Sequence, residues 1–228
     1  MRVAEVFGPT IQGEGPSCGQ QATFIRLWGC NLDCSWCDTP YTWDVTGKNG
    51  TAYARDDEST VLSVEELVEL VPTSPTLVVV TGGEPLVQAK ELAALAAVLV
   101  ERGHRVEVET NGTRAPLPTI PFLTYNVSPK LAHADTSKPA LRDALRDYRD
   151  STVASFKFVA CSADDLDEVA GIVERYDLDP STVWIMPEGR QATAIVNGLA
   201  ALVDGVVARG WNLSPRLHVL CWGDKRGV

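Results

Sequence analysis

The sequence predicts an α/β fold, a partial and open (β/α) barrel, and three observations predict it. Apolar strand-like runs alternate with Ala/Leu-rich helical segments, which implies a parallel sheet with right-handed crossovers. Leu77-Val78-Val79-Val80-Thr81 is a continuous apolar run, the mark of a strand covered on both faces. The 228 residues fall short of the about 250 that a complete eightfold barrel uses, and long loops take up part of them.

Taken in order, the first strand is expected over residues 22–29 and the first helix over 64–71, opened by a capping box of Ser63 and Glu66. A strand follows at 77–81. The Ala/Leu-rich helix 88–102 ends where Gly103 offers a helix stop. Strands at 105–109 and 123–127 precede a helix at 140–148. Strand 154–159, helix 164–176, strand 183–186 and helix 191–209 continue the alternation, and a last strand is expected at 217–220. One domain is expected to span 1–228, with a polar, glycine-containing insertion at about 44–60.

Composition narrows the function classes. A net charge of −10 disfavours a nucleic-acid partner, which needs a basic face. The longest apolar stretch, 92–100, lies between Glu91 and Glu101 and is too short to span a membrane. No secretory signal is read at the amino terminus, so the expected location is the reducing cytoplasm.

The most informative segment is Cys30-Asn31-Leu32-Asp33-Cys34-Ser35-Trp36-Cys37. Three thiolates in one short loop suit three irons of a [4Fe–4S] cube, since soft sulfur matches iron. The next cysteine is Cys161, so one iron is left open to bind something at the metal. Structural zinc is the plainer reading of clustered cysteines, but it wants four ligands, and His104, His133 and His218 are all distant in sequence. Cys18, Cys161 and Cys221 are scattered and read as buried or idle thiols rather than ligands.

Four further polar or Gly/Pro clusters follow strands: Thr81-Gly82-Gly83-Glu84-Pro85, Glu109-Thr110-Asn111-Gly112-Thr113, Ser128-Pro129-Lys130 and Met186-Pro187-Glu188-Gly189. One such cluster is an ordinary turn. Five on the carboxyl rim of a parallel sheet, counting the cysteine loop, mark a site. There Glu84 can receive an ammonium, Lys130 a carboxylate, and Ser128 a ribose or carboxylate oxygen. Asn111 either meets a ligand or holds its own turn.

The C-x₃-C-x₂-C spacing, with an aromatic residue before the third cysteine, resembles that of the radical S-adenosylmethionine (SAM) enzymes. The resemblance extends further. Gly8-Pro9-Thr10-Ile11-Gln12-Gly13-Glu14-Gly15, the continuation Cys37-Asp38-Thr39-Pro40-Tyr41-Thr42-Trp43, the rim motifs and the end Trp222-Gly223-Asp224-Lys225-Arg226-Gly227-Val228 are similar to the 7-carboxy-7-deazaguanine synthase family. A glycyl-radical activase shares the cysteine spacing, and a non-catalytic metal-binding protein is the more distant alternative. The Gln12-Gly13-Glu14-Gly15 segment and the Cys37-Asp38-Thr39 continuation favour the synthases.

That resemblance implies a lyase that contracts the ring of 6-carboxy-5,6,7,8-tetrahydropterin to 7-carboxy-7-deazaguanine with loss of ammonia, in queuosine-type 7-deazapurine biosynthesis. It implies a [4Fe–4S] cluster, SAM and Mg²⁺ as cofactors, flavodoxin or ferredoxin as electron donor, and a homodimer. Residue by residue, Cys30, Cys34 and Cys37 match the cluster ligands and Thr39 a Mg²⁺ ligand. Trp36, Asp38, Gly83, Glu84, Asn111, Ser128, Lys130, Met186, Pro187, Glu188 and Gly189 fall on the SAM side. Ile11, Gln12, Gly13, Glu14, Arg26, Thr81 and the carboxylate of Val228 fall on the substrate side. No side chain is expected to act as acid or base, because the cofactors carry the chemistry.

Overall fold

The structure, a computed structural model, describes residues 1–137 and 142–228. Nine strands form one sheet in the order β3-β1-β2-β4-β5-β6-β7-β8-β9. They are β1 (Arg2–Ile11), β2 (Gln21–Leu27), β3 (Thr60–Val61), β4 (Leu77–Gly82), β5 (Arg105–Thr110), β6 (Leu123–Val127), β7 (Ala154–Ala160), β8 (Val183–Pro187) and β9 (Asn212–Leu213). Strand β2 and strands β4 to β9 run parallel, while β1 is antiparallel to both β2 and β3. Since β3 and β9 each end the row, the sheet is open, as the sequence predicts.

The central strands are mostly apolar because both of their faces are covered. In β2 and β4 alternate residues enter different clusters. Ile25, Leu27, Val78 and Val80 join the main core with Leu92, Leu95, Ala96 and Leu99, the buried stripe of α2 (Ala89–Glu101). Ala22, Phe24, Leu77 and Val79 face the other way, into a small cluster with Phe7. Further along that second face, towards the carboxyl ends, Arg26 and Thr81 replace the apolar side chains. Period-two alternation therefore puts the helices on one face and a polar rim at the end of the other.

The remaining helices are α1 (Val64–Glu69), α3 (Leu145–Ser151), α4 (Ala163–Tyr176), α5 (Ala192–Ala208) and α6 (Leu217–Trp222). The capping box of α1 forms as expected, Ser63 and Glu66 each accepting from the other's amide at 3.1 and 2.8 Å. In the 44–60 insertion, one buried carboxylate takes the place of regular structure. Asp44 accepts from the amides of Thr46, Gly47, Lys48 and Asn49 and from the Thr46 hydroxyl.

Besides the unexpected two-residue β3, three elements differ from expectation. Strand β1 is not among the expected elements, the first of which starts at residue 22. The structure absorbs its Gly8-Pro9 pair in a bulge between Phe7 and Thr10, where the proline's missing N–H costs no ladder bond. The last strand lies at Asn212–Leu213 rather than 217–220. Pro215 cannot extend the ladder, and the expected strand instead coils as α6, tied by Leu217 N to the Gly13 carbonyl at 2.9 Å. The helix expected over 140–148 begins at Leu145, and its residues 140 and 141 lie outside the described residues.

Gly82 closes β4 at φ +145°, where an added Cβ would lie 2.1 Å from the Leu27 carbonyl oxygen. Gly82→Ala is expected to cost about 3 kcal/mol, a fall of about 6–12 °C in Tm by calorimetry. Gly171→Ala, in open space on α4, is expected to be neutral or to stabilise by up to about 1 kcal/mol.

Candidate active site

The five rim motifs converge on one cavity, together with the end of β1 and the carboxyl terminus. Cys30, Cys34, Trp36, Cys37, Asp38 and Thr39 line it from the cysteine loop. Thr81, Gly83, Asn111, Ser128 and Lys130 line it from the next three loops, and Met186, Pro187, Glu188 and Gly189 from the end of β8. Ile11, Gln12, Gly13, Glu14, Arg26 and Val228 complete the residues singled out in the sequence.

Glu84 is the exception, and here the sequence expectation is corrected. Its side chain is buried beneath the rim and does not line the cavity. One carboxylate oxygen accepts from Leu86 N at 3.0 Å and the Thr110 hydroxyl at 2.8 Å, and the other from Asn111 N at 2.7 Å. A carboxylate so occupied fastens the glycine turn to the tip of β5 instead of meeting an ammonium. Burial nevertheless raises its pKa, against the lowering effect of these donors.

The cysteine loop is held from several sides. Leu32 and Cys34 are buried against Ala134. The Asn31 side chain accepts from Asn111 Nδ2 at 2.9 Å and donates to the Thr113 hydroxyl at 2.7 Å. Asn111 thus both lines the cavity and fixes its neighbours. Trp43 Nε1 donates to Cys37 Sγ at 3.2 Å, Leu32 N to Cys30 Sγ at 3.4 Å, and the Thr39 hydroxyl lies 3.7 Å from Cys37 Sγ. Gly83 must be glycine, since a Cβ there would lie 2.3 Å from the Gly29 carbonyl oxygen and 2.9 Å from Cys30 Cβ. On the next wall the Lys130 ammonium donates to the Ser128 hydroxyl at 3.0 Å and lies 5.5 Å over the Trp36 ring.

The same cavity has a buried charged wall; sequence reading singled out its Gln12, Glu14, Arg26 and Asp38 but not Lys157, Arg216, His218 or Glu109. Glu14 pairs with Lys157 and with Arg216 (3.0 Å), and Arg216 also pairs with Asp38 and donates to the Gly189 carbonyl at 2.7 Å. Burial works against the Glu14 carboxylate, but Lys157 and Arg216 hold its pKa well below the usual range. Burial, with Arg216 nearby, pushes His218 down, towards the neutral imidazole. Gln12 Nε2 donates to Glu107 at 3.2 Å and Glu109 at 3.0 Å, and Ser17 donates to Glu107 at 2.6 Å. Burial and the neighbouring Glu109 raise the pKa of Glu107. Arg26 is held by Glu5 at 2.7 Å, and Glu5 also takes the Tyr41 hydroxyl and the Arg226 guanidinium of the tail. A signal for Lys157, Glu107 and Glu109 does exist: each is a charge at an alternate position of an otherwise apolar strand.

Known proteins resemble this chain in sequence and fold. Residues 27–168 match the model of the radical SAM superfamily. The chain is 37% identical to a 7-carboxy-7-deazaguanine synthase from Pyrobaculum aerophilum, covering 100% of this chain and 97% of that protein. It is 32% identical to one from Bacillus subtilis, covering 99% and 98%. The chain belongs to the 7-carboxy-7-deazaguanine synthase family. The crystal structure of QueE from Escherichia coli superposes with a TM-score of 0.70 at 26% identity, covering 93% of this chain and 92% of that one. The SAM-bound SuiB of Streptococcus suis, 12% identical with a TM-score of 0.56 over 84% of this chain and 45% of that one, shares the fold alone.

Membership among the 7-carboxy-7-deazaguanine synthases implies a [4Fe–4S] cluster and SAM, and the residues present fit them. Three thiols face one cavity, while Cys18, Cys161 and Cys221 do not line it. N–H donors already point at two of the three sulfurs, the usual support for cluster thiolates. Burial pushes the Cys30 thiol up to about 12, so a nearby cation is what would make it a thiolate. Gly82 and Gly83, packed against the backbone of Leu27 and Gly29, bring the glycine turn to the edge of the same cavity.

Glu14→Gln is expected to leave the buried Lys157 ammonium unpaired and to cost about 3–5 kcal/mol in denaturant unfolding. The folded pKa of Glu14 is depressed below its ordinary 4.5. Its contribution to stability is therefore present above that pH and lost as pH falls through the acid range, so the acid limb of stability should be shallower in the variant.

Proposed function

We propose that this chain contracts the ring of 6-carboxy-5,6,7,8-tetrahydropterin to 7-carboxy-7-deazaguanine with loss of ammonia. The observation that carries the reading is the presence, around one cavity, of three cysteines lacking a fourth together with acidic and amide side chains. When bound, the cluster and SAM supply a radical able to remove hydrogen from carbon. The protein binds, orients and keeps water out.

Within this reading Cys30, Cys34 and Cys37 hold the cluster. SAM lies along Gly83, Ser128, Lys130 and the Met186–Gly189 turn, with Trp36 and Asp38 beside it. Arg26, already set in place by Glu5, offers its guanidinium edge to the pterin carboxylate. The donor-rich edge of the pterin suits carboxylates, and Glu109 joins Ile11, Gln12, Gly13, Glu14, Thr81 and the Val228 carboxylate on that side. Glu14 acts there chiefly by holding Lys157 and Arg216, because two cations occupy its oxygens. Thr39 supplies a hydroxyl to a Mg²⁺ that orients the substrate; hard oxygen ligands suit that ion. A flavodoxin or ferredoxin delivers the electron, and the working unit is a homodimer.

Anaerobically reconstituted protein given the carboxypterin, SAM and a reductant is expected to release 7-carboxy-7-deazaguanine, and Cys34→Ala to release none. Turnover of other radical SAM substrates without this product would overturn the reading. Thr39→Ala should keep the cluster absorbance and SAM binding but lose most of the stimulation by magnesium. Turnover indifferent to magnesium, with chelator present, returns Thr39 to a loop hydroxyl. A monomer in anaerobic sedimentation at micromolar concentration would exclude the homodimer.

A further inference from the structure

Outside the cavity, one cluster of metal-ligating side chains is present among the described residues: His133, Cys161 and Asp165, with one ligand atom of each within 4.8 Å of the other two. His133 follows the β6 loop, Cys161 ends β7, and Asp165 lies in the first turn of α4. We infer that these three residues form a second metal site, for a borderline-soft divalent ion of the Zn²⁺ class.

The geometry orients the ligands. His133 Nε2 lies 3.0 Å from the Val159 carbonyl oxygen, which can only accept, so the ring proton is on Nε2. That leaves the Nδ1 lone pair available to a metal; Cys161 Sγ lies 3.5 Å from Nδ1 and 3.9 Å from Nε2, and Asp165 Oδ2 lies 3.9 Å from Nε2. Metal–sulfur and metal–nitrogen bonds of about 2.3 and about 2.0 Å at a tetrahedral angle place the two ligand atoms about 3.5 Å apart. A backbone carbonyl fixing the tautomer from the far nitrogen is the usual outer support of a metal-bound histidine. Asp165 is held as well: one of its oxygens accepts from the amides of Cys161 (2.6 Å) and Ser162 (3.0 Å). Asp165 and Glu188 make the surroundings of the sulfur negative, which suits a cation and disfavours a bare thiolate. Sulfur and imidazole select against Mg²⁺.

The position matters to the main site. The His133 ring stacks on Trp36, centroids 5.6 Å apart, and the neighbouring Ala134 carbonyl accepts from Ser35 N at 2.9 Å. A metal joining His133 to β7 and α4 would therefore brace the cysteine loop from outside the cavity. The inference stands independently of the reaction proposed above.

The test uses the full chain with its iron–sulfur cluster assembled and ZnCl₂ alone as probe. Cys161 and Cys221 are both exposed, so each can be alkylated by N-ethylmaleimide and followed by peptide mass, with Cys221 as internal control. Micromolar zinc is expected to slow alkylation of Cys161 by about tenfold or more, to leave Cys221 unchanged, and to lose its effect in His133→Ala. Magnesium at the same concentration should protect neither. Metal analysis should find one zinc per chain, absent in Cys161→Ser, with iron unchanged. Alkylation of Cys161 at one rate with and without zinc would overturn the site, as would equal protection of both cysteines or undiminished protection in His133→Ala.

Discussion

The structure depends on one close approach of backbones. Strand β2 pairs with β4 in parallel up to Leu27 opposite Gly82, and just beyond that pair the two chains come nearer than any side chain permits. Gly83 N donates to the Leu27 carbonyl at 3.2 Å and Glu84 N to the Gly29 carbonyl at 2.8 Å, so the pairing continues into the loops. Through it the cysteine loop is registered against the glycine turn. Glu84, turned inward, carries the same register across to β5 through Thr110 and Asn111. Three successive loops are thus aligned by hydrogen bonds that use almost no side-chain freedom.

The other wall is organised by charge. Lys157 and Glu14 are both largely removed from water, and each is tolerable only because the other is present. Burial lowers the Lys157 pKa while Glu14 raises it further, so the ammonium is retained. Beside them Glu107 is placed differently: it has Ser17 and Gln12 as neutral donors and a like charge in Glu109. One wall of the cavity therefore holds a firm ion pair, and buried behind it lies a carboxyl whose ionisation is disfavoured. Such divergent environments are typical of sites that bind polar ligands in fixed orientation.

The sheet, its strand order of alternation and the rim were legible because continuous apolar runs such as 77–81 admit few other structures. The cysteine loop was legible because its chemistry is carried by spacing alone. Where local pattern conflicted with tertiary packing, reading failed. Strand β1 was not expected at all; it carries Gly8-Pro9 inside it, which a bulge beside β2 accepts. The 217–220 segment alternates like a strand yet forms a helix lying on Gly13, where a Cβ would come within 2.1 Å of His218 Nδ1. Glu84 was assigned to the cavity because sequence shows which loop a carboxylate occupies but not which way it turns. Arg216 carried no signal at all, lying far along the chain from Glu14 and Asp38.

Arg216 is the residue with the widest consequence. Its Nε meets the amino-terminal segment at Glu14, one terminal nitrogen meets Gly189 after β8, and the other meets Asp38 after the last cysteine. A planar fork can satisfy three directions at once, whereas the point charge of a lysine cannot. Three loops, each free to wander on its own, are thereby reduced to a single moving part. The entropy of ordering them is lost when the chain folds and not when a ligand arrives, so a small molecule entering this cavity meets walls already in position.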